Sequence, residues 1–224
     1  MMPQKKNKKI LIYFFLFLIL SSANNQILKE IGYPKLRNIQ VLGLDTIENL
    51  EIENKLTHLK LQNLFFLSPF QIKEILDKNS LIETYSVFKK FPSTIIIEIN
   101  KTKILASTHK NGFNYYIGSN GKLIKAKNSK IDKPFVFGNF TNAEFLKLKK
   151  IIDKSKLDYE NIKKIYFFNS GRWDIELSNG LLIKLPEKKF LQSINISMDL
   201  ISKNKIENIK IIDNRIEGQV ILNE

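Results

Sequence analysis

Residues 82–101 read IETYSVFKKFPSTIIIEINK, and the middle of this stretch decides how its surroundings fold. Two β-rich runs, Ile82 to Lys89 and Thr94 to Lys101, flank Phe91, Pro92 and Ser93, which predicts a strand, a turn and a returning strand. Upstream, Ser68 followed by Pro69 opens a helix, because proline fits a first turn whose N–H has no partner anyway. Its expected buried face is Ile72, Ile75 and Leu76. Before that, Asp45 or Thr46 caps a helix whose apolar positions Ile47, Leu50, Leu56 and Leu59 recur at helical intervals. Ile39, Val41 and Leu44 around Gly43 make a short strand and turn. The order is strand, helix, helix, strand, strand.

Downstream the pattern changes to repeated short strands. Lys103 to Thr108, Asn114 to Ile117 and Lys122 to Ala126 are candidates, with Asn111-Gly112 and Asn120-Gly121 supplying the residues that tight hairpins need. Thr141 and Glu144 have the spacing of a capping box ahead of a stripe made by Phe145, Leu148, Ile151 and Ile152. Lys163 to Phe168, Gly171 to Leu177 and Leu181 to Leu185 follow as strands. A helix is expected from Pro186 to about Ser202, on Phe190, Leu191, Ile194, Met198 and Ile201. Two last strands are expected near Ile206 to Asp213 and from Ile216 to Leu222. Alternation along residues 172–177 sends Trp173, Ile175 and Leu177 to one face as core and Arg172, Asp174 and Glu176 to the other. Asp213 and Arg215 share a face and are expected to pair.

The 224 residues carry 36 Lys plus Arg against 22 Asp plus Glu, a formal charge of +14, yet arginine occurs only at Arg37, Arg172 and Arg215. Base and phosphate recognition uses the planar guanidinium fork and clustered basic stripes; evenly spread lysine argues against a nucleic-acid reader. Cysteine is absent, which excludes disulfides, thiolate metal sites and a cysteine nucleophile. His58 and His109 stand alone, so no metal site is expected, and both are read as surface residues. Lys147, Lys149 and Lys150 are read as a wet helix face. Ser86/Lys89, Ser107/Lys110, Ser119/Lys122 and Ser202/Lys205 match the spacing of a serine acyl-transfer site, as a lysine-rich chain does by composition, but no Lys-Thr-Gly accompanies them. No catalytic residue and no cofactor is expected.

The amino terminus sets the compartment. Lys5, Lys6, Lys8 and Lys9 precede the unbroken run ILIYFFLFLIL, Ile10 to Leu20, and a cationic flank stays on the cytoplasmic side. Ile10 to Ala23 reaches about 21 Å as a helix, against about 30 Å of hydrocarbon. Ser21 and Ala23 also suit a signal-peptidase cut. Local physics leaves two alternatives: a cleaved signal, or an anchor that thins the bilayer or extends past Asn24 and Asn25 toward Ile27 and Leu28.

The strand-helix-helix-strand-strand order behind an export segment resembles a POTRA domain. In sequence there follow IQVLGL (39–44), NLFFL (63–67), SVFKKFPSTIIIEI (86–99), YYIGSNGKLI (115–124), KPFVFG (133–138), GRWDIELSNGLLIKLP (171–186) and IIDNR (211–215). This series is similar to the successive signatures of the bacterial division family FtsQ, also called DivIB, over nearly all of residues 36–222. Phe91 stands where the family often has Trp, Gly118 where it has Asp, and residues 101–104 lack its acidic-arginine pair and proline.

The resemblance implies an α+β protein with a single N-terminal membrane helix, a POTRA domain (βααββ), and a strand-rich β domain with two helices. The corresponding boundaries are a cytoplasmic tail at 1–9, a transmembrane anchor at 10–28, the POTRA domain at 36–101 and the β domain at 103–224. It implies an uncleaved, single-pass type II protein of the inner membrane at the septum, periplasmic in bulk, without enzymatic activity. Its expected partners are FtsB, itself paired with FtsL, together with other division proteins that meet the POTRA domain. The expected mode is strand addition, since a terminal strand leaves backbone N–H and C=O groups open along one side. By position, Arg215, Ile216, Gly218, Val220 and Leu222 would receive the FtsB tail, and Thr94 to Lys101 would be the POTRA edge strand. Two other readings are an envelope secretion scaffold, which would need tandem POTRA repeats or a membrane barrel, and a secreted acyl transferase or hydrolase.

Overall fold

In the computed structural model the described residues are 8–23, 35–126, 131–203, 209–216 and 218–223. Helix α1, Lys8–Ala23, is apolar on every side, and Ile10 to Leu20 are exposed. Among the described residues no helix is long and apolar enough to cross a membrane. Positions 24–28 of the expected 10–28 anchor lie outside the described residues.

The first globular unit is a three-stranded sheet of β1 (Asn38–Leu42), β2 (Ile82–Lys90) and β3 (Thr94–Lys101), with helices α2 (Thr46–Leu56) and α3 (Pro69–Asp77) packed on it. Ser68 caps α3 by accepting the Phe70 N–H at 3.3 Å, with Pro69 in the first turn, as the sequence dictates. The buried side of α2 is Ile52 and Leu56, continued by Leu59 in the following 3-10 turn. The stripe expected from Ile47 and Leu50 is therefore wrong: these are 72% and 51% exposed, because α2 begins its packing a turn later.

The strand order is β1-β3-β2, with β1 parallel to β3 and β2 antiparallel to it. Thr94 to Lys101 is thus the central strand and not an edge, a correction to the sequence expectation. Its reason is the crossover through α2 and α3, which lays β1 along the free side of the β2–β3 hairpin. Gly43 closes β1 with φ +107°, and a Cβ there would stand 1.8 Å from the Ile99 carbonyl oxygen.

The second unit is built on a nine-stranded sheet among the described residues. Its strands are β4 (Ile104–Lys110), β5 (Phe113–Gly118), β6 (Leu123–Lys125), β7 (Phe135–Phe137), β8 (Ile162–Phe167), β9 (Trp173–Leu177), β10 (Leu182–Lys184), β11 (Ile211–Asp213) and β12 (Ile221–Asn223). Their order is β12-β11-β10-β9-β8-β7-β4-β5-β6. Helices α4 (Asn142–Ile152) and α5 (Phe190–Ser202) contribute to the core beneath the sheet. The capping box forms: Thr141 accepts the Glu144 N–H at 3.2 Å and Glu144 accepts the Thr141 N–H at 2.7 Å, which holds the Glu144 carboxyl below its ordinary range. Lys149 is not wet: it pairs with Asp153 and lies 4.2 Å over the Tyr159 ring.

Register gives the sheet two unlike faces. Val136, Ile165, Ile175, Ile183 and Ile212 stand side by side on five neighbouring strands, all fully buried. Trp173 is buried against Phe140 and Phe167, as the alternation predicts. The opposite face carries the row Phe137, Tyr166, Asp174, Lys184, Asp213 and Ile221. Phe137 stacks on Tyr166 with centroids 5.2 Å apart.

Candidate functional site

The apolar row continues onto β12, where Leu222 lies opposite Ile212, but there the cover ends and Leu222 is half exposed. Among the described residues β12 has β11 on one side and stands at the end of the sheet order, so its outer side is an edge with main-chain groups facing away from the sheet. The expected strand from Ile216 to Leu222 is shorter than the sequence suggests. It spans Ile221–Asn223, because Gly218 at φ +78° and a Gln219 N–H donated to the Ile216 carbonyl at 3.2 Å turn the chain first. Likewise β11 begins at Ile211 in place of Ile206; residues 206–208 lie outside the described set.

Two anchors hold this turn. Asp213 accepts from the Arg215 backbone N–H at 3.0 Å, from Nε at 2.9 Å to each oxygen, and from Nη2 at 2.6 Å. These hydrogen bonds keep the Asp213 carboxyl below its ordinary range and raise the Arg215 guanidinium. The expected ion pair is therefore present. Asn214 ties the same corner inward: its N–H reaches the Lys184 carbonyl at 2.9 Å and its amide donates to Ser197 Oγ on α5 at 2.8 Å. Ser197 Oγ in turn donates a hydrogen bond to the Ser193 carbonyl at 3.0 Å.

Between this corner and the start of α5 lies a cleft of about 690 Å³. One wall exists because α5 starts four residues later than the sequence suggests: Lys189 takes a left-handed conformation at φ +61°, and residues 186–189 stay outside the helix. Pro186 to Lys189 offer no Ser, Thr, Asp or Asn to cap an earlier start. Ile196, Ile216 and Val220 give the cleft apolar walls, while Arg172, Arg215 and Lys188 outnumber its one carboxylate, Glu187. Of the five positions expected from sequence, Arg215, Ile216, Gly218 and Val220 meet in this cleft, and Leu222 sits on the adjoining strand.

Sequence reasoning missed Asn214 and Ile196. Asn214 stands inside the quoted IIDNR motif, and its isolation among apolar and charged neighbours was the available signal. Ile196 falls off the expected helix stripe and is exposed, so no periodicity pointed to it.

On the polar face, Arg172 Nε lies 3.2 Å from Asp174 Oδ1. Burial pushes the Asp174 carboxyl up against the opposing pull of Arg172. Glu176 accepts from Tyr166 at 2.6 Å and from Lys164 at 3.0 Å, and the Tyr166 contact holds its carboxyl down. The Glu176 contacts cross between neighbouring strands, while Arg172 and Asp174 pair along one stretch of chain. Among the described residues no three His, Cys, Asp or Glu side chains gather as a metal site.

Residues 35–101 match the family model for the POTRA domain, FtsQ-type, and residues 106–215 match that for cell division protein FtsQ/DivIB, C-terminal. The chain is 28% identical to cell division protein FtsQ of Rickettsia bellii (strain RML369-C) over 193 residues, covering 83% of this chain and 70% of that protein. It is 27% identical to cell division protein FtsQ of Rickettsia prowazekii (strain Madrid E) over 199 residues, or 85% and 72%. The solved major extracytoplasmic domain of the trans isomer of DivIB from Geobacillus stearothermophilus aligns with 11% identity and a TM-score of 0.33, covering 47% of this chain and 98% of that one.

Proposed function

Because the chain belongs to the FtsQ/DivIB family of cell division proteins, we propose that it is a non-enzymatic scaffold of the divisome that holds FtsB, paired with FtsL, by strand addition at β12. The observation that carries this reading is the coincidence of an open sheet edge with a basic, partly apolar cleft beside it. An extended segment laid along β12 gains main-chain hydrogen bonds from the edge. Selectivity comes from side chains entering the cleft, where Lys188 and the donors that Arg215 and Arg172 keep beyond their pairs with Asp213 and Asp174 favour carboxylates, and Ile216, Val220 and Ile196 favour apolar groups.

In this reading α1 and the residues up to 28 hold the chain in the inner membrane, residues 1–9 are cytoplasmic, and the POTRA domain at 36–101 and β domain at 103–224 are periplasmic at the septum. The support is the cationic flank and the all-round apolar surface of α1, which suits lipid better than water. The POTRA edges available to other division proteins are β1 and β2.

The test is capture of an FtsB tail by the full chain in detergent. Leu222→Pro, which removes a strand N–H, and Val220→Asp, which places a charge on a cleft wall, are each expected to weaken capture at least about tenfold, or about 1.4 kcal/mol. Amides of Ile221–Asn223 should exchange more slowly in the complex. Full capture by folded variants, with no added protection, would sink the edge mechanism.

A further inference from the structure

The first unit has two ends. At one end, β3 leads through Thr102 and Lys103 into β4, and the second unit is attached there. At the other end stands the β2–β3 turn, Phe91 to Ser93, about 27 Å away along eight residues of strand. The chain arriving from the amino terminus enters at this second end. The Leu36 N–H is donated to the Gln62 carbonyl at 3.0 Å, Lys35 bridges Asn63, and the Arg37 and Asn38 N–H groups reach the Ser93 carbonyl at 2.8 and 3.1 Å.

An aromatic cluster surrounds that arrival point and faces solvent. Phe65, Phe66 and Phe91 are 67%, 74% and 57% exposed; Phe65 lies 6.3 Å from Phe66 and 5.6 Å from Phe91 by ring centroid. Among the described residues the charge there is basic. Residues 35–42, 55–73 and 84–97, which build this end, contain no Asp or Glu but include Lys35, Arg37, Lys60, Lys89 and Lys90. Lys89 is drawn over the loop by donating to the Leu67 carbonyl at 3.1 Å.

Exposed aromatics on an end whose described residues 35–42, 55–73 and 84–97 carry lysine and arginine but no acid suit an anionic lipid surface, where rings enter the headgroup boundary and lysines meet phosphate. The chain itself supplies the proximity. Only residues 24–34 separate this end from the apolar α1, a reach of at most about 40 Å. We infer that the Phe65–Phe66–Phe91 tip of the first unit docks on the outer surface of the bilayer that holds α1, with anionic phospholipid as its ligand. The inference rests on the membrane-anchored reading above and adds the orientation: tip on the lipid, second unit directed away.

The native chain has no cysteine, so single labels are simple to place. Full-length Phe66→Cys, and Phe65→Cys as a second position, would carry a polarity-sensitive dye, with His109→Cys as a reference on the second unit. Each is reconstituted into vesicles of phosphatidylethanolamine and phosphatidylglycerol. The expected result is flotation with the vesicles, quenching of the tip labels by nitroxide-bearing lipid, and about fivefold less quenching by aqueous iodide than at the reference position. Flotation with tip labels as wet as the reference overturns the docking while leaving the anchor intact. Tip labels shielded only after other envelope proteins are added also overturn it, and assign the tip to a protein. Chains that fail to float overturn the anchor and the docking together.

Discussion

Asp213 is held by the backbone and the guanidinium of a residue only two positions away, so its contribution is local and titratable. Its native pKa lies below the ordinary carboxylate value, so the stabilisation is complete above that ordinary value and is lost as pH falls through the native one. Half-exposure of Arg215 limits the pair to about 1 kcal/mol. The melting-temperature gap between wild type and Asp213→Asn should be full at neutral pH and begin to shrink only as pH falls below the ordinary carboxylate value. A gap that does not shrink anywhere in the acid range would assign it to packing. Gly43→Ala is expected to cost about 2–4 kcal/mol in denaturant unfolding, since the new Cβ has neither space nor a permitted φ. The Asp213–Arg215 pair was legible because residues i and i+2 of a strand share a face. The Asn214–Ser197 bond was not, since it joins residues 17 apart in sequence on different elements, and no local rule brings them together.

At the level of elements, caps were the most readable feature. Ser68-Pro69 and Thr141 with Glu144 place their helices because a short polar side chain and an orphan N–H need each other. The start of α5 was misread for want of such a signal, and that misreading concealed the cleft wall. β7 escaped notice because it has three residues and takes both neighbours in parallel, leaving no alternation to detect. The run Ile95, Ile96 and Ile97 without a polar break marks a strand shielded on both faces, but it does not say which strands lie beside it, so the central place of β3 had no local signal. Ser197→Ala would strand the buried Asn214 amide. It should cost about 1–3 kcal/mol, and amide exchange across residues 211–216 should accelerate while that of β1 stays unchanged. Unchanged exchange at that corner would show that α5 does not hold it.

Across the whole molecule the two units meet through a dense polar joint. Glu83 accepts from Thr102 at 2.8 Å and from Ser119 at 2.7 Å, and the Asn120 amide donates to the Ser80 and Ile82 carbonyls at 3.0 and 2.8 Å. The chain order of elements was open to sequence reading in the first unit and, β7 apart, in the second. This joint was not, because its partners are assembled by both folds at once. Glu83→Ala, leaving Thr102 and Ser119 without their shared acceptor, should broaden the particle dimensions seen by small-angle scattering while each unit keeps its own melting transition. An unchanged scattering profile would mean that the short passage from Lys101 to Ile104 sets the angle unaided. Such a joint also has a mechanical meaning. On the proposed lipid docking, a stiff elbow would make the first unit a pedestal of set height, and a companion rooted in the same bilayer would need a stalk cut to match. Flexible residues spliced in after Lys101 would remove that gauge without touching either proposed docking surface.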